Sequence, residues 1–194
     1  QAEDGIRDYK VTGVQTCALP IYLVGKPVFL RSVELFLNRP GISQIILAVN
    51  PDAVDEFKFR WGDKLGFLSV KIVPGGKAER WETVLKAMQA VGDDCTHIAV
   101  HDAARPLTSP ALLDRVFEAA KDNPAVIPGI AAASTLKLTE PVAPPNTGDP
   151  LDAILGSAGK PNIPLRKIIR TVDRRNVYEV QTPQVFERKL LSRA

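Results

Sequence analysis

Short unbroken apolar runs alternate along this chain with segments whose apolar residues recur every three to four positions. That alternation restricts the possible folds more than any other feature. Gln44–Val49 (QIILAV), Ser69–Val73, His97–Val100 and Ala125–Gly129 are strand-sized. A continuous apolar run suits a strand covered on both faces. Thr135–Leu138 is a candidate fifth strand. Phe29, Val33, Phe36 and Leu37 share one face, so Pro27–Asn38 reads as a helix stopped by Pro40-Gly41. Asp52–Trp61 reads as a short helix. Val84, Leu85, Met88 and Val91 mark another over about Glu79–Val91. Leu112, Val116 and Ala119 mark the inward face of a helix over Pro110–Asp122, and Phe186–Arg193 reads as helical. Strands alternating with helices predict an α/β fold, with a mostly parallel sheet covered by helices on both faces. Ligands in such sheets bind beyond the carboxyl ends of the strands.

The 194 residues suffice for one domain with a sizeable core, and the net charge of +3 is mild. No run of five or six basic residues argues for nucleic acid or an anionic membrane as partner. The apolar stretches are far shorter than the ~20 residues a membrane helix needs. Cys17 and Cys95 are far apart and have no Cys/His cluster around them, so neither a disulfide framework nor a zinc site is indicated. A cytoplasmic protein with incidental thiols is the expectation.

Two stretches stand apart. Residues 1–21 (QAEDGIRDYKVTGVQTCALPI) show no clean period of 2 or 3.6. They resemble the conceptual translation of a common sequencing adapter, so they are expected to be a non-native leader outside the fold, with the domain proper over 22–194. Glu140–Arg170 carries prolines at 141, 144, 145, 150, 161 and 164. It reads as a long excursion from the core, an arm over about 139–171.

Three segments carry candidate chemistry. Val100-His101-Asp102-Ala103-Ala104-Arg105-Pro106 follows a buried strand. Asp102 could accept bonds from ribose hydroxyls or help hold a divalent cation. Arg105 offers a fork suited to phosphate oxygens. Ala103 and Ala104 let a ligand approach the backbone. The competing reading is an Asp–Arg pair that caps a helix or bridges a loop. In Pro74–Thr83, Gly75 and Gly76 follow a strand and precede a helix, the recurring geometry for cradling a nucleotide with backbone N–H groups. Thr83 could reach a base or a phosphate; a plain turn is the alternative. In Val180–Phe186, Thr182 and Gln184 are polar groups beside Pro183, or else a capped helix start. Arg174 adds a guanidinium, or a solvated surface charge. His97 lies at a strand start. His101 could be a base, although a satisfied structural imidazole is the better reading. There is no nucleophile–base–acid set for acyl transfer.

HDAARP, the glycine turn before a helix, TVDR and VQTPQVF, in this order, resemble the 2-C-methyl-D-erythritol 4-phosphate cytidylyltransferases over essentially Tyr22–Ala194. The resemblance implies a Rossmann-like nucleotidyltransferase fold and a homodimer locked by the protruding arm. It implies transfer of CMP from CTP to a sugar-alcohol phosphate, with Mg²⁺ and release of pyrophosphate. Gly75, Gly76, Thr83, Asp102 and Ala103 then contact CTP, with Thr83 standing where serine is usual. Asp102 and Arg105 are the central nucleotide and substrate residues, Asp102 also being the candidate metal ligand. Thr135 and Thr182 contact substrate, with Ser134 in place of the usual aspartate, and Arg174 is supplied to the partner's site. The family's glycine-rich loop and lysine would lie where residues 1–21 stand, and its last strand would follow Ala194. The chain is thus expected to be a fragment without activity of its own. Two other functions remain open: a ribitol-phosphate-type cytidylyltransferase and a non-catalytic nucleotide-binding module.

Overall fold

The computed structural model describes residues 9–14 by their backbone, and residues 21–142 and 165–193 in full. They fall into two compact units, Gln1–Pro128 with Val180–Ala194, and Gly129–Glu179.

The first unit is built on a six-stranded sheet. Its strands are β1 (Tyr9–Val14), β4 (Ile42–Val49), β5 (Val70–Pro74), β6 (His97–Asp102), β7 (Ala125–Val126) and β12 (Gln184–Glu187), in the order β5-β4-β1-β6-β12-β7. β5, β4, β1 and β6 run parallel. β12 is antiparallel to both β6 and β7. A two-stranded ribbon of β2 (Tyr22–Leu23) and β3 (Lys26–Pro27) leads into α1 (Val28–Glu34). α2 (Val54–Phe67), α3 (Arg80–Met88), α4 (Pro110–Ala119) and the short α5 (Arg188–Leu191) complete the unit.

The α/β expectation and its mostly parallel sheet are met. Alternate residues of β4 enter two separate cores, as period-two side chains must. Ile45, Leu47 and Val49 pack with Phe29 and Val33 of α1, Phe57 and Leu65 of α2, and Leu113 and Val116 of α4. Ile46 and Ala48 pack on the other face with Ile98, Val100, Ala87, Val91 and Cys95.

Several element boundaries differ from expectation, each for a local reason. α2 runs past Gly62 to Phe67, because Leu65, four residues beyond Trp61, is fully buried and draws another turn onto the core. The inward face of α4 is Leu113 and Val116, continued by Ala120 just past its end; Ala119 is exposed. Ser109 caps this helix by accepting from Leu112 N–H at 3.3 Å, and that start sets its rotation. On α3, Thr83 and Ala87 face inward while Leu85 is exposed. Phe186 lies in β12, not in a helix: Val185 is buried in the α1–α2–α4 core, so the segment keeps a strand's alternation until Arg188.

The largest departure concerns the segment set aside as a leader. Tyr9–Val14 is the central strand, paired with β4 on one side and β6 on the other. Ladder bonds come from the backbone, and Tyr, Val and Thr suit a strand. The parts of the leader over 1–8 and 15–20, and with them Cys17 and the place of the expected glycine-rich loop and lysine, lie outside the described residues.

In the second unit, β9 (Leu136–Pro141) pairs antiparallel with β10 (Arg166–Val172), and β8 (Gly129–Ala131) pairs with β11 (Tyr178–Val180). The proline-rich excursion is thus flanked by a two-stranded ribbon; its residues 143–164 lie outside those described.

Candidate functional site

β5 and β4 are neighbours and β6 lies across β1 from β4; all run parallel, so the polar loops that follow these strands share one end of the sheet. Asp102 is the last residue of β6, half-buried, with both carboxylate oxygens engaged. Arg80, at the start of α3, reaches Oδ1 with Nε and Nη2, each at 3.1 Å. Arg105 donates from Nε to Oδ2 at 3.0 Å. Arg105 N–H also closes a turn on Asp102 O at 2.9 Å, and its Nη1 donates to Gln181 Oε1. Two guanidiniums and one carboxylate therefore form a knot with a net positive charge, partly open to solvent, where a parallel sheet presents ligands. Such a knot suits an anionic ligand with several oxygens.

The glycine turn is joined to this knot through Arg80. A Cβ on Gly75 would sit 2.9 Å from Thr83 Cγ2 and 3.1 Å from Val49 O; on Gly76 it would sit 2.4 Å from Glu82 Cβ. The two glycines let the turn lie directly on the first turn of α3. Its N–H groups are already used. Gly75 N–H donates to Val49 O at 2.7 Å, and Gly76 N–H to Thr83 Oγ1 at 2.9 Å. Lys77 and Ala78 N–H both donate to Glu82 Oε2 at 3.2 Å. Those bonds, Ala78's foremost, hold the Glu82 carboxyl below its ordinary range. The expected cradle of free N–H groups is therefore closed onto the helix, and Thr83 is its buried clasp. Gly76→Ala is expected to destabilise the fold by about 1–3 kcal/mol, the usual cost of overpacking. Thermal unfolding measures it; an unshifted midpoint would mean the turn has room that this packing denies.

Thr182 is buried behind Asp102. Its Oγ1 lies 3.4 Å from Asp102 N and 3.1 Å from His101 Nδ1. His101 is 1% exposed, edge-on to Phe36 at 5.1 Å between ring centroids, with Nε2 3.1 Å from Arg105 O. Burial, above all, pushes its imidazole down to about 4. The structural-imidazole reading is thus the one the surroundings support. Ala103 is buried, its carbonyl accepting from Ser32 Oγ at 2.7 Å.

The first unit therefore gathers Gly75, Gly76, Thr83, Asp102, Ala103, Arg105 and Thr182. Thr135 and Arg174 are exposed residues of the second unit. Sequence reasoning missed Arg80, Gln181 and the Lys77–Asp52 ion pair at 2.7 Å. The only hint was position: each lies just beyond a strand end or at a helix start.

A larger cavity of about 960 Å³ opens at the other end of the sheet, beside His97, Lys121, Glu187 and Arg188. We place the site at the carboxyl ends despite that volume, because the convergent charged groups are there. Beside Arg80 a groove of about 530 Å³ is lined by Trp81, Val84, Leu85, Val100 and Phe186.

No group of three or more His, Cys, Asp or Glu side chains that could hold a metal ion occurs among the described residues. Mg²⁺ is commonly held by one or two carboxylates with substrate phosphates supplying other oxygens; the carboxylate of Asp102 stands at the carboxyl end of β6 with its two oxygens on Arg80 and Arg105.

The family model for 2-C-methyl-D-erythritol 4-phosphate cytidylyltransferase matches residues 13–149. The chain belongs to this family. The family match begins inside β1, the strand at the centre of the sheet. Among family members, the 2-C-methyl-D-erythritol 4-phosphate cytidylyltransferase of Frankia casuarinae is 35% identical over 173 residues, covering 89% of this chain and 54% of the relative. That of Endomicrobium trichonymphae is 34% identical over 172 residues, covering 89% and 65%. The chain thus spans between half and two thirds of the length of these curated relatives. The same fold appears in the solved 4-diphosphocytidyl-2C-methyl-D-erythritol synthase of Anaerococcus prevotii, with a TM-score of 0.72 and 21% identity over 95% of this chain and 73% of that one. The Thermus thermophilus cytidylyltransferase aligns with a TM-score of 0.63 and 23% identity, covering 92% and 70%.

Proposed function

We propose that this chain is the nucleotide-handling part of an enzyme that transfers CMP from CTP to 2-C-methyl-D-erythritol 4-phosphate, releasing pyrophosphate. The observation that carries the reading is the Arg80–Asp102–Arg105 knot at the carboxyl end of β6, in a chain of this family. Asp102 holds the two guanidiniums at a fixed spacing, and their surplus positive charge meets a triphosphate. The sugar phosphate oxygen attacks the α-phosphorus in line, its bond to pyrophosphate breaks, and no covalent protein intermediate is needed. Positioning and charge stabilisation supply most of the rate in such reactions. A divalent cation, Mg²⁺ by preference, would add charge neutralisation on the phosphates, and Asp102 is the carboxylate that would help hold it. Gly75, Gly76, Thr83 and Ala103 shape the nucleotide side, and Thr135 and Thr182 the sugar phosphate side. Arg174 serves the partner subunit in a homodimer joined through the arm. The enzyme works in the cytoplasm without nucleic acid.

Calorimetric titration of the chain with CTP, UTP and ATP tests the nucleotide. CTP is expected to bind in preference to the others, and Asp102→Ala to weaken it most. Equal binding of all three would leave a generic phosphate site and sink the reading. With CTP bound, methylerythritol phosphate is expected to bind more tightly than ribitol phosphate; the reverse order would identify the ribitol-type enzyme instead.

A further inference from the structure

The charged knot at the end of β6 has an uncharged member, Gln181. Arg105 donates from Nε to Asp102 Oδ2 at 3.0 Å and from Nη1 to Gln181 Oε1. A guanidinium has donors only, so the Gln181 atom that meets it must be the carbonyl oxygen, and the bond has one direction. Both side chains start from held backbones. Arg105 N–H closes its turn on Asp102 O at 2.9 Å, and Gln181 N–H donates to Pro128 O at 2.8 Å, with the buried Thr182 next in the chain. A single bond from Nε would leave this partly exposed guanidinium free to turn about its Nε–Cζ bond. The second bond, from Nη1, fixes its plane. Among the described residues no acceptor meets Arg105 Nη2, so its hydrogens are the ones a ligand can take. Charge gives a reason for an amide here rather than a carboxylate. Arg80 and Arg105 against Asp102 leave 2 − 1, or one surplus positive charge, for an anionic ligand. A carboxylate on Nη1 would hold Arg105 at least as firmly but would reduce that surplus to zero.

We propose that Gln181 is a positioning residue, a neutral clamp that fixes the plane of Arg105 and aims Nη2 at the ligand without cancelling the charge the ligand meets. On the proposed function, on which this step rests, the ligand is the phosphate chain of CTP, and Gln181 acts on it through Arg105.

Two measurements separate the clamp from the ligand. Carbon-detected NMR of the arginine side chains gives the rate of rotation about Nε–Cζ without any nucleotide, and Arg105→Lys identifies the Arg105 signals by their loss. Rotation in Arg105 is expected to speed up about tenfold in Gln181→Met, as for the loss of one hydrogen bond to a charged group, and to return to the original rate in Gln181→Glu. A rate indifferent to Gln181→Met overturns the clamp, and so does a rate that Gln181→Glu fails to restore. Calorimetric titration with CTP at neutral pH then reads the charge. Gln181→Met is expected to weaken CTP about tenfold, and Gln181→Glu to weaken it at least as much while its thermal unfolding midpoint is unchanged or raised. A merely structural role would let binding follow stability, so a Gln181→Glu variant that is as stable as the original chain and binds CTP equally well overturns the proposal. If the original chain binds no CTP, the proposed function falls, and the rotation rates still decide the clamp.

Discussion

Lowering the pH from 7 to 4 is expected to cost the fold about 3 kcal/mol through His101 alone, at about 1.36 kcal/mol for each pH unit of a pKa shift. The imidazole is pushed from its ordinary 6.5 down to about 4, chiefly by burial, with Arg105 and Arg80 acting in the same direction and Asp102 and the Arg105 carbonyl against it. The unfolded chain takes up a proton below about 6.5 that the folded chain refuses until about 4. The stabilisation is therefore complete above pH 6.5, declines across that window and is flat beneath it. Glu82 and Asp173, whose carboxyls lie below their ordinary ranges, weaken the fold in the same direction, starting at lower pH. Urea unfolding at pH 7, 5.5 and 4 measures the slope, and His101→Gln is expected to flatten it between 7 and 5. An identical slope in the variant would assign the acid sensitivity to other groups.

Phe29→Ala is expected to be costlier still, about 3–5 kcal/mol, the range for emptying an aromatic site in a core. Phe29 is 1% exposed and its ring meets Phe57 at 5.1 Å and Trp61 at 5.4 Å between centroids. These contacts join α1 to α2 over the sheet, and no small movement of one helix closes the void without opening the other. Phe59→Ala is the internal comparison. Phe59 lies on the same α2 but is 92% exposed, and its loss should fall within about 0.5 kcal/mol. The two variants share chemistry and differ in burial alone. Equal urea midpoints would mean that the core is looser than these ring contacts describe.

The parallel sheet was legible because continuous apolar runs such as Ile45–Val49 and Ile98–Val100 have few other uses in a chain of this size. The anchors Asp102 and Arg105 were legible for a related reason: polar residues immediately after a buried strand stand at the ligand end of such a sheet. Their partner Arg80 was not, since it lies 22 residues from Asp102 and no local spacing links a helix start to a distant strand end. The glycine turn was read for its donors. Side chains that look free in sequence, Thr83 and Glu82, consume those donors once the helix folds back on the turn. Helix rotation was the least legible feature. In α4 the choice between Leu112 and Leu113 depends on the cap at Ser109, and amphipathic spacing alone tolerates either. Tyr9–Val14 was set aside with residues 1–21 because that string resembles a translated sequencing adapter and carries no continuous apolar run, while a central strand needs its backbone first.

That central position also sets an order of events. The earliest described segment to leave the ribosome, Tyr9–Val14, has its two ladder partners at Ile42–Val49 and His97–Asp102. Until β6 has been synthesised, one edge of this strand stays unsatisfied. Parallel pairing across such sequence distance folds slowly and exposes strand edges meanwhile. Nascent chains that end short of His97–Asp102 would therefore be the aggregation-prone species, and chaperone demand should peak just before that strand emerges.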